Sequence, residues 1–178
     1  SGETAAIFGT VTTQGVIVGD YEGPSPTLRG FYMQDLFGDG DDTTSDGIFV
    51  FNGNNDNVAL GDVVSVTGNI SEFQGQTQIT ATSIVHCGTG SVDPVDVTLP
   101  FPTLDFAERY EGMLVSLPQT LYVTEHFQLG RFGQVVVSVN GRLQQPTNIY
   151  VPGVDADNLQ DLNNRSRIII DYALQDQN

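Results

Sequence analysis

Apolar and polar residues alternate with period two along most of this chain, and helical periodicity is nearly absent. Ala5 to Val18 predicts a long strand, interrupted by glycines at 9 and 15 where a strand can bend sharply. A polar loop leads to a second strand, Leu28 to Leu36, and the acidic turn Phe37–Gly47 leads to a third, Ile48–Phe51. The unbroken apolar run of that third strand suits a position covered on both faces. In Asp62–Phe73 the alternation is clear: Val64, Val66 and Ile70 share one face, and Ser65, Thr67, Asn69 and Ser71 the other. Gln76–Val85 completes the set. Five strands, the first long and coiled, joined by turns with no room for a full helix, predict an all-β fold with a small closed Greek-key barrel over residues 1–87.

Residues 88–108 are rich in proline and lack a convincing period, so they read as a linker or a wrapping extension. Residues 109–178 then read as a second, incomplete β segment. Met113–Thr124, Gly133–Val139 and Arg167–Asp171 are its predicted strands, Asn140-Gly141 is a hairpin signal, and 145–164 is a long Pro/Asn-rich excursion. Only Leu104–Tyr110 is expected to form a helical turn or two.

Charge changes the picture by where it sits. The 178 residues hold 22 Asp+Glu against 6 Lys+Arg, a formal charge of −16, and every cation is arginine. Residues 1–108 carry one arginine against fifteen acids, net −14, whereas 109–178 carry five arginines against seven acids, net −2. Phosphate backbones are bound through Lys and Arg, so the first part repels a polyanion and the second tolerates one. No apolar run approaches the roughly 18 residues of a membrane span. The single cysteine, Cys87, excludes an internal disulfide, and beside His86 it is too isolated for a zinc site.

The strings GFYMQD (30–35), GDGDDTTSDGIFVF (38–51) and VALGDVVSVTGNISEFQGQTQIT (58–80) are followed by ERYEGMLVSLP (108–118), LGRFGQVVVSVNGRLQQPTN (129–148) and NNRSRIIID (163–171). In this order they resemble the region of bacterial extracellular nucleases that precedes a DNase I-like endonuclease/exonuclease/phosphatase domain. The resemblance covers most of residues 5–171. It implies an OB-fold-like barrel followed by a second β segment, a secreted parent that degrades DNA, and a missing nuclease domain as partner. Mg²⁺ or Mn²⁺ is implied only for that domain, and the fragment itself is expected to lack catalysis.

The residues agree on that last point. His86 and His126 stand far apart, and neither a nucleophile elbow nor a phosphate-binding loop is present. Asp39, Asp41, Asp42 and Asp46, with glycines between them, could offer oxygens to Ca²⁺. The competing reading is an acidic turn whose Asp side chains cap their own backbone. OB barrels take ligands on strands 2 and 3 and the adjoining loops. That mapping selects Arg29, Tyr32 and Phe73 as DNA-contacting candidates, with Tyr21, Phe31, Gln34 and Gln74 nearby, although only one of Phe31 and Tyr32 can face outward. Asp20, Glu22, Asp35 and Glu72 count against a phosphate groove there. In the second segment Arg131 and Phe132, expected at a glycine-flanked turn, and Arg142 are candidates for DNA, and Arg165 and Arg167 flank the last strand. The alternative from another class is a structural spacer or protein-interaction module with no nucleic-acid affinity.

Overall fold

The computed structural model describes residues 9–173 and is all-β with short helical pieces. Five strands close a barrel in the order β1-β2-β3-β5-β4: β1 Gly9–Tyr21, β2 Gly30–Gln34, β3 Gly47–Phe51, β4 Asp62–Phe73 and β5 Gln76–Thr89. All neighbours are antiparallel except β3 and β5. Closure and strand number are those of the small Greek-key barrel expected from the alternation.

Strand β1 closes the barrel because it serves two neighbours. Gly9 to Val16 pair with β4, Val16 to Tyr21 pair with β2, and the register shifts between Ile17 and Gly19. The bend falls where the glycines are. A Cβ at Gly15 would lie 2.7 Å from the Gln34 carbonyl oxygen, so the strand crosses its partner at a distance only glycine permits.

Alternation then sorts the side chains. Ile17, Phe31, Met33, Val50, Val64, Val66 and Ile79 form the barrel core, with Val58 from the β3–β4 loop. Full burial of each such side chain contributes about 1.5–3 kcal/mol. Because Phe31 pairs with Val50 and Tyr32 with Phe49, Phe31 points inward and Tyr32 outward, which resolves the choice between them.

The described residues group into two compact units, one within Ser1–Val95 and Glu108–Val115, the other within Asp96–Ala107 and Ser116–Asn178. The segment after the linker, expected to open the second β segment, thus groups with the barrel for its first residues. Two short strands, β6 Val95–Asp96 and β7 Val115–Ser116, pair with each other. In the second unit β8 Tyr122–Glu125, β9 Val135–Ser138 and β10 Arg167–Ile170 form an antiparallel sheet in the order β10-β9-β8. The Pro-rich segment wraps into this unit, for Val97, Leu99 and Phe101 are buried. The Gln119 amide completes the job of a strand neighbour, accepting from Leu99 N at 2.6 Å and donating to Leu99 O at 2.7 Å.

Three details differ from the alternation pattern. Pro118 cannot donate to a ladder, so Met113–Thr124 divides into β7 and β8 instead of one strand. Arg131 and Phe132, expected at a turn, lie in a four-residue helix, α1 Leu129–Phe132, ended by Gly133 at φ 70°. The excursion 145–164 holds a second helix, α2 Val154–Arg165. Leu104–Tyr110 is the expected helical turn, of 3-10 type.

Candidate functional site

Residues that alternation turns away from the barrel core collect on one outer face. The Tyr21 ring meets Tyr32 edge-on at 6.0 Å between centroids, and Tyr32 leans on Phe49 at 4.9 Å. Gly19 makes room for this row: a Cβ there would lie 3.0 Å from the Tyr21 ring and 3.4 Å from that of Tyr32. Beside it the Arg29 guanidinium lies 5.1 Å from the Phe51 ring centroid, a cation–π distance. Arg29 occupies left-handed backbone at φ 63°, and its Nε is buried without a hydrogen-bond partner.

The β4–β5 hairpin extends the same face. Gln74 and Gly75 have φ of 54° and 86°, the mirror-image turn that suits a two-residue hairpin. Phe73 stands opposite Gln76 in the register and is 57% exposed, and Gln76 Nε2 donates to the Tyr32 hydroxyl at 3.2 Å. The structure therefore brings Arg29, Tyr32 and Phe73 onto one surface and adds Tyr21, with Phe51 half-buried beneath Arg29. Phe49 shares the outward parity of Tyr32 but is only 6% exposed, so with Val50 it bears out the reading of IFVF as a strand covered on both faces.

The acids around this face have local partners. Glu22 is buried and accepts from Asn57 N at 2.7 Å, Val58 N at 2.9 Å and the Asn52 amide, which ties the β1–β2 loop to the β3–β4 loop. Asp20 accepts from Glu22 N, Asp35 from Phe37 N, and Glu72 from the Thr77 hydroxyl. Their negative charge stays, but their side chains serve the loops.

In the acidic turn, Asp39 accepts from Asp41 N at 2.8 Å, Asp41 from Thr43 N at 2.9 Å, and Asp46 from Asp39 N at 3.2 Å. The Thr43 hydroxyl and backbone hold the Asp41 carboxyl below the ordinary carboxylate range. Asp42 is exposed, and its carbonyl accepts from Arg109 Nη1 at 3.2 Å. Among the described residues no three Asp, Glu, His or Cys side chains converge to hold a metal ion. As arranged, these carboxylates cap the loop's own backbone.

The second unit separates its arginines. Arg165 is spent internally, with Nε 2.8 Å from Asp161 and Nη1 donating to Phe101 O at 2.9 Å. Arg131 lies 4.9 Å from the Phe132 ring centroid and is exposed on α1. Arg142 follows the Asn140-Gly141 turn, whose φ values of 62° and 105° fit the expected turn, though the chain leaves the sheet there instead of forming a hairpin. It lines a polar cleft together with Arg167.

His86 lies 3.5 Å from Asp62 on the barrel surface, and His126 is an exposed residue before α1. No helix among the described residues is long and apolar enough to cross a membrane. Comparisons with protein-family profiles, curated proteins and solved structures return no match for this chain.

Proposed function

We propose that this chain is a non-catalytic accessory region of a secreted bacterial nuclease, and that its barrel holds single-stranded DNA for a phosphodiesterase domain by stacking bases on its aromatic face. The observation that carries this reading is the pair Tyr21–Tyr32, backed by the buried Phe49 ring, with Arg29 over Phe51 beside it, on the outer face of a five-stranded barrel. Planar faces of this kind accept unpaired bases with little regard to sequence. The negative field around the face leaves little for phosphates to gain, so stacking supplies the affinity.

Fluorescence anisotropy with labelled single- and double-stranded DNA tests it. The single strand is expected to bind more tightly. Tyr32→Ala is expected to raise Kd roughly 5- to 150-fold, the equivalent of about 1–3 kcal/mol for one lost stacking partner. Binding should also depend only weakly on salt, in contrast to the steep loss expected of a protein that neutralises many phosphates. Equal affinity of Tyr32→Ala and the unaltered protein would remove the face from the reading.

A protein-interaction module without nucleic-acid affinity is the second reading. It draws on the second unit, where Phe127, Ile169, Ile170 and Tyr172 are all more than half exposed. It predicts no anisotropy change with either DNA.

A further inference from the structure

The sheet β10-β9-β8 of the second unit has two edges, and they differ. At β8 the register shifts between Val123 and Glu125, and the Thr124 hydroxyl accepts from Leu143 N at 2.9 Å. A bulge and a covering segment are common ways of closing an edge to further pairing. Strand β10 has neither a bulge nor a proline: its register against β9 runs unshifted from Arg167 to Ile170. Ile169 and Ile170 are more than half exposed, and so is Tyr172 just beyond them.

One bond fixes which way the backbone of this edge faces. Val139 N donates to Ser166 O at 3.2 Å, which makes Ser166 and Val139 a hydrogen-bonded pair of the ladder. Such pairs alternate with non-bonded ones along antiparallel strands. Ile168 and Ile170 therefore turn their N–H and C=O groups toward β9, and Arg167 and Ile169 turn theirs away. The Pro-rich segment meets this outward side only ahead of the strand, where Phe101 N donates to Arg165 O at 2.8 Å. Among the described residues nothing bonds to the outward backbone groups of Arg167 and Ile169.

Charge indicates what completes the edge. Arg167 opens β10, Asp171 follows it, and three isoleucines stand between. If a second copy of β10 is laid antiparallel with Ile169 opposite Ile169, Arg167 of each copy faces Asp171 of the other, and the outward groups of the two Ile169 residues meet. A shift of the centre to Ile168 or Ile170 separates both charge pairs, and an in-register parallel arrangement sets like charges side by side, which disfavours pairing. Both side chains are steadied from their own chain, Arg167 Nη2 by Asn164 Oδ1 at 3.0 Å and Asp171 by Gln134 Nε2 at 2.7 Å, and each has further donors or lone pairs to offer. Residues 109–178, with five arginines against seven acids, carry only −2 of the −16, so this segment lets two copies approach with little repulsion.

We infer that two copies of this chain associate through β10, antiparallel and centred on Ile169, so that their three-stranded sheets join into one across a two-fold axis. A full-sized specific interface buries about 1,200–2,000 Å², and one short edge with its flanking side chains covers less, so the dimer is weak and forms with rising concentration. The contact is independent of the DNA reading, since it forms without DNA.

Sedimentation equilibrium of the full chain over a range of concentrations tests it. The mass is expected to rise toward twice that of the monomer and stop there. Ile169→Pro removes an N–H that β9 does not use, so this variant should keep its melting curve and remain a monomer. Arg167→Asp and Asp171→Arg each place like charges opposite one another, and each alone should weaken association about tenfold or more. An equal mixture of these two variants restores both opposite-charge pairs in a mixed dimer, so association should return on mixing. A monomer at every concentration overturns the proposal, as does Ile169→Pro that folds and associates like the unaltered protein. Should Ile169→Pro fail to fold, the mixing experiment decides, and a mixture no more associated than its components overturns the assignment. A mass that climbs past twice the monomer would mean open-ended pairing of β10 with β8 of the next copy, and would overturn the two-fold contact.

Discussion

A methyl group at position 30 would lie 2.1 Å from the Val50 carbonyl oxygen and 2.7 Å from the Phe49 ring. Backbone cannot retreat from such an approach without moving β3, so Gly30→Ala is expected to cost about 1–3 kcal/mol or more in urea denaturation, in line with other overpacked sites. Because the Phe49 ring backs Tyr32 and Phe51 lies under Arg29, the same substitution should weaken DNA binding. Glu22 makes the opposite kind of contribution. Its carboxylate satisfies two backbone N–H groups and an amide, all acceptor duties. Glu22→Gln replaces one of those acceptors by a donor aimed at donors, and a loss of about 1.5–3 kcal/mol is expected. In sequence Glu22 is one acid among many around the face. Only the structure shows that it clamps two loops and leaves ligand contact to the aromatic rings.

Helix α2 shows what held at the level of elements and what did not. Its large apolar residues are few, Val154, Leu159 and Leu162, and Val154 and Leu162 are exposed, so no apolar stripe repeats with helical period. Ala156 and Asn163 are its buried positions instead, and Asn163 donates to Gln144 O at 3.0 Å. A helix packed through alanine and asparagine is invisible to a search for period 3.6. The end signals were present, however, with Asp155 and Asp157 in the first turn and Arg165 in the last. Strand β4 was legible because one of its faces is more buried than the other, as Val64 and Val66 against Ser65 and Thr67 illustrate. The outward face was only half legible: alternation shows that one of Phe31 and Tyr32 faces out, whereas the pairing register and burial were needed to say that it is Tyr32 and that Phe49 lies buried against it. Arg165 anchors α2 to the Pro-rich segment through Phe101 O and to its own helix through Asp161. Arg165→Ala is therefore expected to lower stability by about 1–3 kcal/mol, and Asp161→Asn by about 0.3–0.5 kcal/mol, since an exposed pair at this spacing contributes little. Thermal melts of the two variants at low and high salt separate them, because the Asp161 effect should fade with salt whereas most of the Arg165 effect, which comes from the lost bond to Phe101 O, should remain.

For the molecule as a whole, a charge of −16 makes pH the sharpest handle on stability, and two carboxyls should respond with opposite signs. Burial, with Glu108 and Glu72 nearby, raises the Glu111 carboxyl above its ordinary 4.5. A group raised on folding contributes stability while it is protonated, below about its unfolded value, and loses that contribution as pH rises through the folded one. Glu111→Gln removes the penalty, so this variant should melt above the unaltered protein at pH 7 and coincide with it below the ordinary glutamate range. Asp41 is the reverse case. Its hydrogen bonds from Thr43 lower the carboxyl below 3.8, so it stabilises the fold above that value and ceases to do so as pH falls through the lowered one. Asp41→Asn should therefore melt below the unaltered protein at pH 7 and approach it in strong acid. Melting curves from pH 3 to pH 8 for the three proteins are expected to fan apart with rising pH, Glu111→Gln upward and Asp41→Asn downward. Parallel curves would mean that neither carboxyl changes its proton affinity on folding, and the acid loop would then contribute charge without contributing stability.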